Sequence, residues 1–230
     1  MCLHLTPQKC PLCSRLSSRL KKLISRFYVS GLDCQDIHLR THETGEKRAA
    51  EINAAAPDCA CEKNRMSKHS PHPIKNSETL ARFIFSPMLV DSKGNAKPNG
   101  FSHVNSKGCS IQRDSIARND ELSVFVEKFL SGKDERAWKG VLYGHCGEIR
   151  SISNDDSGQR EICVYDTANL ENPSHGELFQ SQYVVEEADR VELRSKLFNS
   201  FNNGKMIAPR QFRDGVVWNN LSQPLQTRGQ

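Results

Sequence analysis

The chain has 230 residues, 37% of them hydrophobic, with a formal net charge of +5 and nine cysteines. That length suits one good-sized domain with an appendage, and the low apolar share predicts long loops or a loosely structured segment. No window of about 18 apolar residues exists, which argues against a membrane-spanning helix, and a mild positive balance permits a nucleic-acid partner without requiring one.

The chain begins with Lys9 and Arg15 and no apolar leader core, so the sequence predicts a cytoplasmic protein whose cysteines stay reduced. Their number then asks for metal, for burial as small apolar side chains, or for reactivity. Residues 1–75 read as a cysteine-rich extension holding Cys2, Cys10, Cys13, Cys34, Cys59 and Cys61. Within it, Leu12, Leu16, Leu20, Leu23, Ile24 and Phe27 recur at helical spacing over Pro11 to Val29. Arg15, Arg19, Lys22 and Arg26 form a second stripe, either a solvated face or one that lies on a phosphate backbone.

Cys10 and Cys13 make a C-x2-C knuckle, and His38 and His42 lie four apart on one side of a helix, so these four are the candidate zinc ligands. Cys34 can replace one of them, and Cys59-Ala60-Cys61 is a second clamp. Pro57, Pro71 and Pro73 mark a linker, and Met66 offers an alternative start that would leave residues 1–65 dispensable.

Residues 76–208 read as the globular domain and 209–230 as a tail. Ser77 opens a helical turn leading into a strand near Phe83–Val90, with Pro87 marking an edge or a break. Asp91 to Gly100 is turn-rich, and Cys109 to Arg113 alternates as a strand. Asp114 caps a helix over about 115–131 that points Ile116, Leu122, Val126, Phe129 and Leu130 inward, and Gly132 ends it.

Gly140 to Ile152 then alternates as a strand bent at Gly144 and Gly147. Asn154 to Gly158 is a turn and Glu161 to Asp166 a return strand, so these segments predict a central hairpin. Asp166 leads into a loop running to His175. A last helix over about 186–202 buries Val191, Leu197, Phe198 and Phe201 before Asn202-Asn203-Gly204 stops it, and Phe212, Val216, Val217 and Trp218 dock back. Mixed strands and two main helices give an α+β fold with a small mixed or antiparallel sheet.

Two constellations carry chemistry. Cys146 is a candidate nucleophile, with His175 as its base and Asp166 orienting the ring; His145, its neighbour on the strand, faces the other way. Arg113, Arg150 and His175, joined by Arg82, can instead hold an anion, unless each arginine pairs with a local carboxylate. Glycine-rich phosphate loops and the common hydrolase motifs are absent from the sequence.

The run His38-Leu39-Arg40-Thr41-His42, followed by Glu43-Thr44-Gly45-Glu46-Lys47-Arg48, resembles the end of a two-Cys two-His zinc finger, which implies zinc and DNA. Leu80-Ala81-Arg82-Phe83, Cys109-Ser110-Ile111-Gln112-Arg113 and Asn172-Pro173-Ser174-His175-Gly176 resemble pieces of small uncharacterised α+β bacterial proteins found beside mobile or defence genes. That resemblance implies a context and no mechanism. The expected function is an accessory or interaction protein that holds a protein or nucleic-acid partner. The alternative is a small enzyme acting on a phosphorylated or nucleotide-like substrate.

Overall fold

A computed structural model describes residues 31–39, 44–116 and 119–213. Its centre is a five-stranded antiparallel sheet of β1 (Thr79–Ser86), β2 (Cys109–Arg113), β3 (Ala137–His145), β4 (Ile162–Asp166) and β5 (His175–Gln180), in the order β3-β1-β2-β5-β4. With its helices this is the α+β class that the sequence predicts. No helix among the described residues is long and apolar enough to cross a membrane.

Successive side chains of a strand point to opposite faces, so each face of the sheet gathers its own core. One face carries Leu80, Ile84, Ile111, Leu142, Val164 and Leu178 under a helix at Glu187–Ser200, which contributes Leu193 and Leu197, and under Phe101 and Val104 of a 3-10 segment at Pro98–Asn105. The opposite face is covered in two separate halves. Over β1 and β3, a helix at Asn119–Leu130 sets Leu122 and Val126 against Ala81, Phe83 and Val141, joined by Phe212. Phe83, Trp138 and Phe212 meet edge to face at centroid distances of 5.5 to 5.9 Å.

Over β4 and β5, the cover comes from the N-terminal part of the chain. Helix α1 (Gly31–Leu39), helix α2 (Gly45–Ala55) and a 3-10 segment at Pro57–Lys63 pack Cys34, Ile37, Ala49, Ile52 and Met66 against Cys163, Tyr165 and Phe179. Thr44 starts α2 by accepting a hydrogen bond from the Lys47 amide at 3.2 Å. Two disulfides fasten this layer: Cys34–Cys61 within it, and Cys59–Cys163 from it to β4. The expectation that the cysteines are reduced therefore does not hold for these four, and Cys34, Cys59 and Cys61 are not open to a metal. Met66, the alternative start, is fully buried in the same cluster.

The later helices take the next labels: α3 is Asn119–Leu130, α4 is Cys146–Arg150, α5 is Glu187–Ser200 and α6 is Pro209–Arg213. The predicted central hairpin is the main correction. β3 and β4 are not partners; they form the two edges of the sheet. The chain does not continue as a strand after His145 because the Cys146 and Gly147 amides turn to donate to Glu78 and Asn76 carbonyls, each at 3.0 Å, and α4 follows. It buries Cys146 and Ile149 under the sheet and carries the chain across to the far edge.

The hairpin that does form joins β4 to β5 through 167–174, and β5 occupies a stretch read as loop. β1 starts earlier than expected, without a preceding helical turn, and stops before Pro87. Val191 and Phe129, expected inside, are 50% and 43% exposed, while Leu193 supplies the apolar contact expected of Val191. The expected helix over Pro11 to Val29, the ligand candidates Cys10, Cys13 and His42, and Val216, Val217 and Trp218 lie outside the described residues.

Candidate functional site

Strands β1 and β2 are hydrogen-bonded over only two residue pairs, Leu80 with Arg113 and Ala81 with Gln112. Beyond Ala81 they part, because β1 follows β3 along its whole length while β2 follows β5. The side chain of Arg82 lies in the gap. Its Nη1 donates to the Ser110 carbonyl at 2.8 Å, and its Nε and Nη2 donate to the Gly100 carbonyl at 3.2 and 2.9 Å. These bonds replace part of the missing ladder.

The gap opens on the face between the two separate covers as a cleft of about 380 Å³. One wall is apolar: Phe83, Phe85, Leu89, Phe125 and Phe129. The other is polar: Ser110, Gln112, Asn172 and His175, with Ser102 and His103 behind. Gly108, at a φ of +88°, makes the turn that brings the 3-10 segment bearing His103 beside the start of β2. Burial, then the charges of Lys107 and Arg82, hold His103 below the ordinary histidine value.

Gln112 and His175 are cross-strand neighbours, so they face the cleft together. The His175 Nδ1 lies 2.8 Å from the Thr167 hydroxyl and 3.2 Å from its carbonyl oxygen, which fixes the ring. Ser174 Oγ lies 2.8 Å from Gln112 Oε1 and 2.9 Å from Asn172 Oδ1. Asn172 is 4% exposed, and since the Ser174 hydroxyl has one proton to give, it donates to one of the two side-chain amides and accepts from the other.

The structure divides the other predicted residues. Arg113 sits one position along from Gln112 and so points through the sheet, away from His175. There it is wholly buried, donating to Glu78 through Nε at 2.8 Å and Nη2 at 2.9 Å, and through Nη1 to the Ser70 hydroxyl and the His72 carbonyl, both at 3.0 Å. Asp166 joins it at 3.5 Å and is nearly fully buried. Burial raises the Asp166 carboxyl above its usual range against the pull of Ser70 and Arg113. Arg113 and Asp166 thus form a buried charge cluster on the opposite face from the cleft, and Thr167, not Asp166, orients His175.

Arg150 lies elsewhere again, 3.0 Å from Glu62 and bonded to the Asn76 carbonyl oxygen Oδ1 at 2.6 Å. Of the proposed anion set, Arg82 alone reaches the cleft with His175. Cys146 is fully buried and burial pushes its thiol up to about 12, so it does not supply a thiolate. His38 packs against the Arg48 guanidinium, whose Nη2 is 2.7 Å from its Nδ1 and 2.6 Å from Glu177. No group of three His, Cys, Asp or Glu residues among the described ones is placed to hold a metal ion.

Residue types gave little warning of Gln112, Thr167, Asn172 and the phenylalanine wall, because they gather only once β1 and β2 separate. No protein-family model, curated protein or solved structure matches the chain.

Proposed function

We propose that the chain is a binding protein whose working site is the cleft between β1 and β2. The observation that carries this reading is the cleft itself, in which Ser110, Gln112 and His175 face an aromatic wall across the gap where β1 and β2 part. A cavity near the low end of the usual ligand-site range, roughly 300–1,000 Å³, with one apolar side and a few converging polar groups, suits a small organic molecule or one inserted side chain of a partner. This keeps the interaction role expected from the sequence and assigns it to the cleft. Two disulfides favour a protein that folds under oxidising conditions over one made in a reducing cytoplasm.

The test is a fragment screen by protein-observed NMR on the full chain. Bound fragments should shift the amides of Ser110, Gln112, Phe125 and His175. Met88→Glu, at an exposed rim position, should weaken those hits without unfolding the protein. Hits that map elsewhere, with the cleft amides unmoved, refute the reading.

One observation favours a second reading, the small enzyme. With Nδ1 held by Thr167, the Nε2 of His175 has no hydrogen bond among the described residues and belongs to a ring that lines the cleft, the posture a general base needs. Under that reading His175→Ala abolishes turnover while fragment binding survives. If the protein is a binder alone, no substrate of the bound class is consumed and His175→Ala alters affinity only.

A further inference from the structure

We infer that the cleft takes an organic anion, a carboxylate or phosphate head seated beside Arg82 with its apolar body against Phe83, Phe85, Phe125 and Phe129. The inference rests on the binding reading and names the chemistry of its ligand.

The charges around the cleft are one-sided. Its lining includes Arg82 and Arg136 and, among the described residues, no aspartate or glutamate. Lys133 adds a further cation at the rim, 3.4 Å from the centroid of the Phe129 ring. A guanidinium has five N–H donors. Arg82 spends three on the carbonyls of Gly100 and Ser110, which leaves one N–H each on Nη1 and Nη2. No carboxylate lies within 4 Å of it among the described residues, whereas Arg113, Arg150 and Arg160 each have one. Backbone carbonyls satisfy hydrogen bonds but do not neutralise a full charge in a partly buried gap.

An anionic oxygen answers this need, since it accepts from the remaining guanidinium N–H groups and cancels the charge. A cationic head would meet like charge, and a neutral amide would leave Arg82 uncompensated. The phenylalanine wall then selects for a ring or branched chain behind the head.

The test compares isosteric ligands on the unmodified chain: 2-naphthoate, 2-naphthyl phosphate, 2-naphthamide and 2-naphthylmethylammonium, each titrated by NMR. The expected result is that at least one of the two anions binds about tenfold more tightly than the amide, with shifts at Ser110, Gln112 and His175, and that the ammonium binds least. Which anion is favoured separates carboxylate from phosphate as the head. Arg82→Gln should bring the preferred anion to the level of the amide; if that variant does not fold, the comparison on the unmodified chain still decides. Equal or tighter binding of the amide or ammonium in the cleft overturns the anion and leaves the binding site standing. Failure of all four, with a fragment screen that also leaves the cleft untouched, overturns both.

Discussion

The Cys59–Cys163 bond should be a major source of stability, because it closes the longest loop in the molecule. The loop spans a sequence separation of 104, against 27 for Cys34–Cys61. Loop-closure entropy gives about 4.7 kcal/mol for the first and about 3.5 kcal/mol for the second. The loops overlap only at residues 59–61, so the two contributions are nearly independent, about 8 kcal/mol at most against a typical domain total of roughly 5–15 kcal/mol. Measured losses for native disulfides run lower, roughly 2–5 kcal/mol each. Urea unfolding of the double variant Cys59→Ala/Cys163→Ala should therefore show a large fall in midpoint, exceeding that of Cys34→Ala/Cys61→Ala. Its slope should steepen as well, since the freed unfolded chain exposes more surface. Non-reducing peptide mapping should recover both linkages. Alkylation of Cys34, Cys59, Cys61 and Cys163 in the unreduced protein, or a Cys59/Cys163 variant as stable as its parent, would refute the reasoning.

Other expectations test the buried polar groups. Arg113→Met strands the Glu78 carboxylate beneath the sheet and should cost about 3–5 kcal/mol in a denaturant midpoint analysis. Tyr165→Phe removes a buried hydroxyl that has no partner among the described residues, and should be neutral or stabilising by about 1 kcal/mol by the same assay. Burial pushes Glu78 up, but hydrogen bonds from Arg113, Ser115 and the Lys75 amide, with the Arg113 charge, outweigh it and hold the carboxyl below 4.5. Its stabilisation is then fully present above pH 4.5 and lost as pH falls through the lower folded value, so Glu78→Gln should flatten the acid limb of a stability–pH curve.

Local pattern in the chain identified several elements and little of their arrangement. β2 was legible residue for residue because Cys109 to Arg113 alternates, and α5 was legible within two residues because Leu197 and Phe201 recur at helical spacing before Asn202. The β3–β4 hairpin was misread because alternation in Gly140 to Ile152 runs on past His145, and only the contacts of Cys146 and Gly147 with Glu78 and Asn76 turn the chain. β5 was hidden by the Asn172-Pro173-Ser174-His175-Gly176 run, which reads as loop, although Gly176 is where Ile74 and the Tyr165 carbonyl approach too closely for a side chain. His175 and Arg82, both picked out in the sequence, line the cleft. Arg113 was not separable from them by sequence, because a one-residue offset along β2 decides which face it serves. The disulfides were equally hidden, since Cys163 is remote from the cysteine-rich segment it joins.

The strand order has a kinetic corollary. Two pairs are neighbours both along the chain and in the sheet: β4 with β5, joined through 167–174, and β1 with β2, which share only two residue pairs. β1 must wait for β3, which begins 51 residues after β1 ends, and β2 must wait for β5. The protein therefore cannot assemble by zipping successive hairpins from its amino end as it leaves the ribosome. Its nucleus should form late, around the β4–β5 pair, and truncated chains ending before Gln180 should be clients for chaperones rather than partly folded domains.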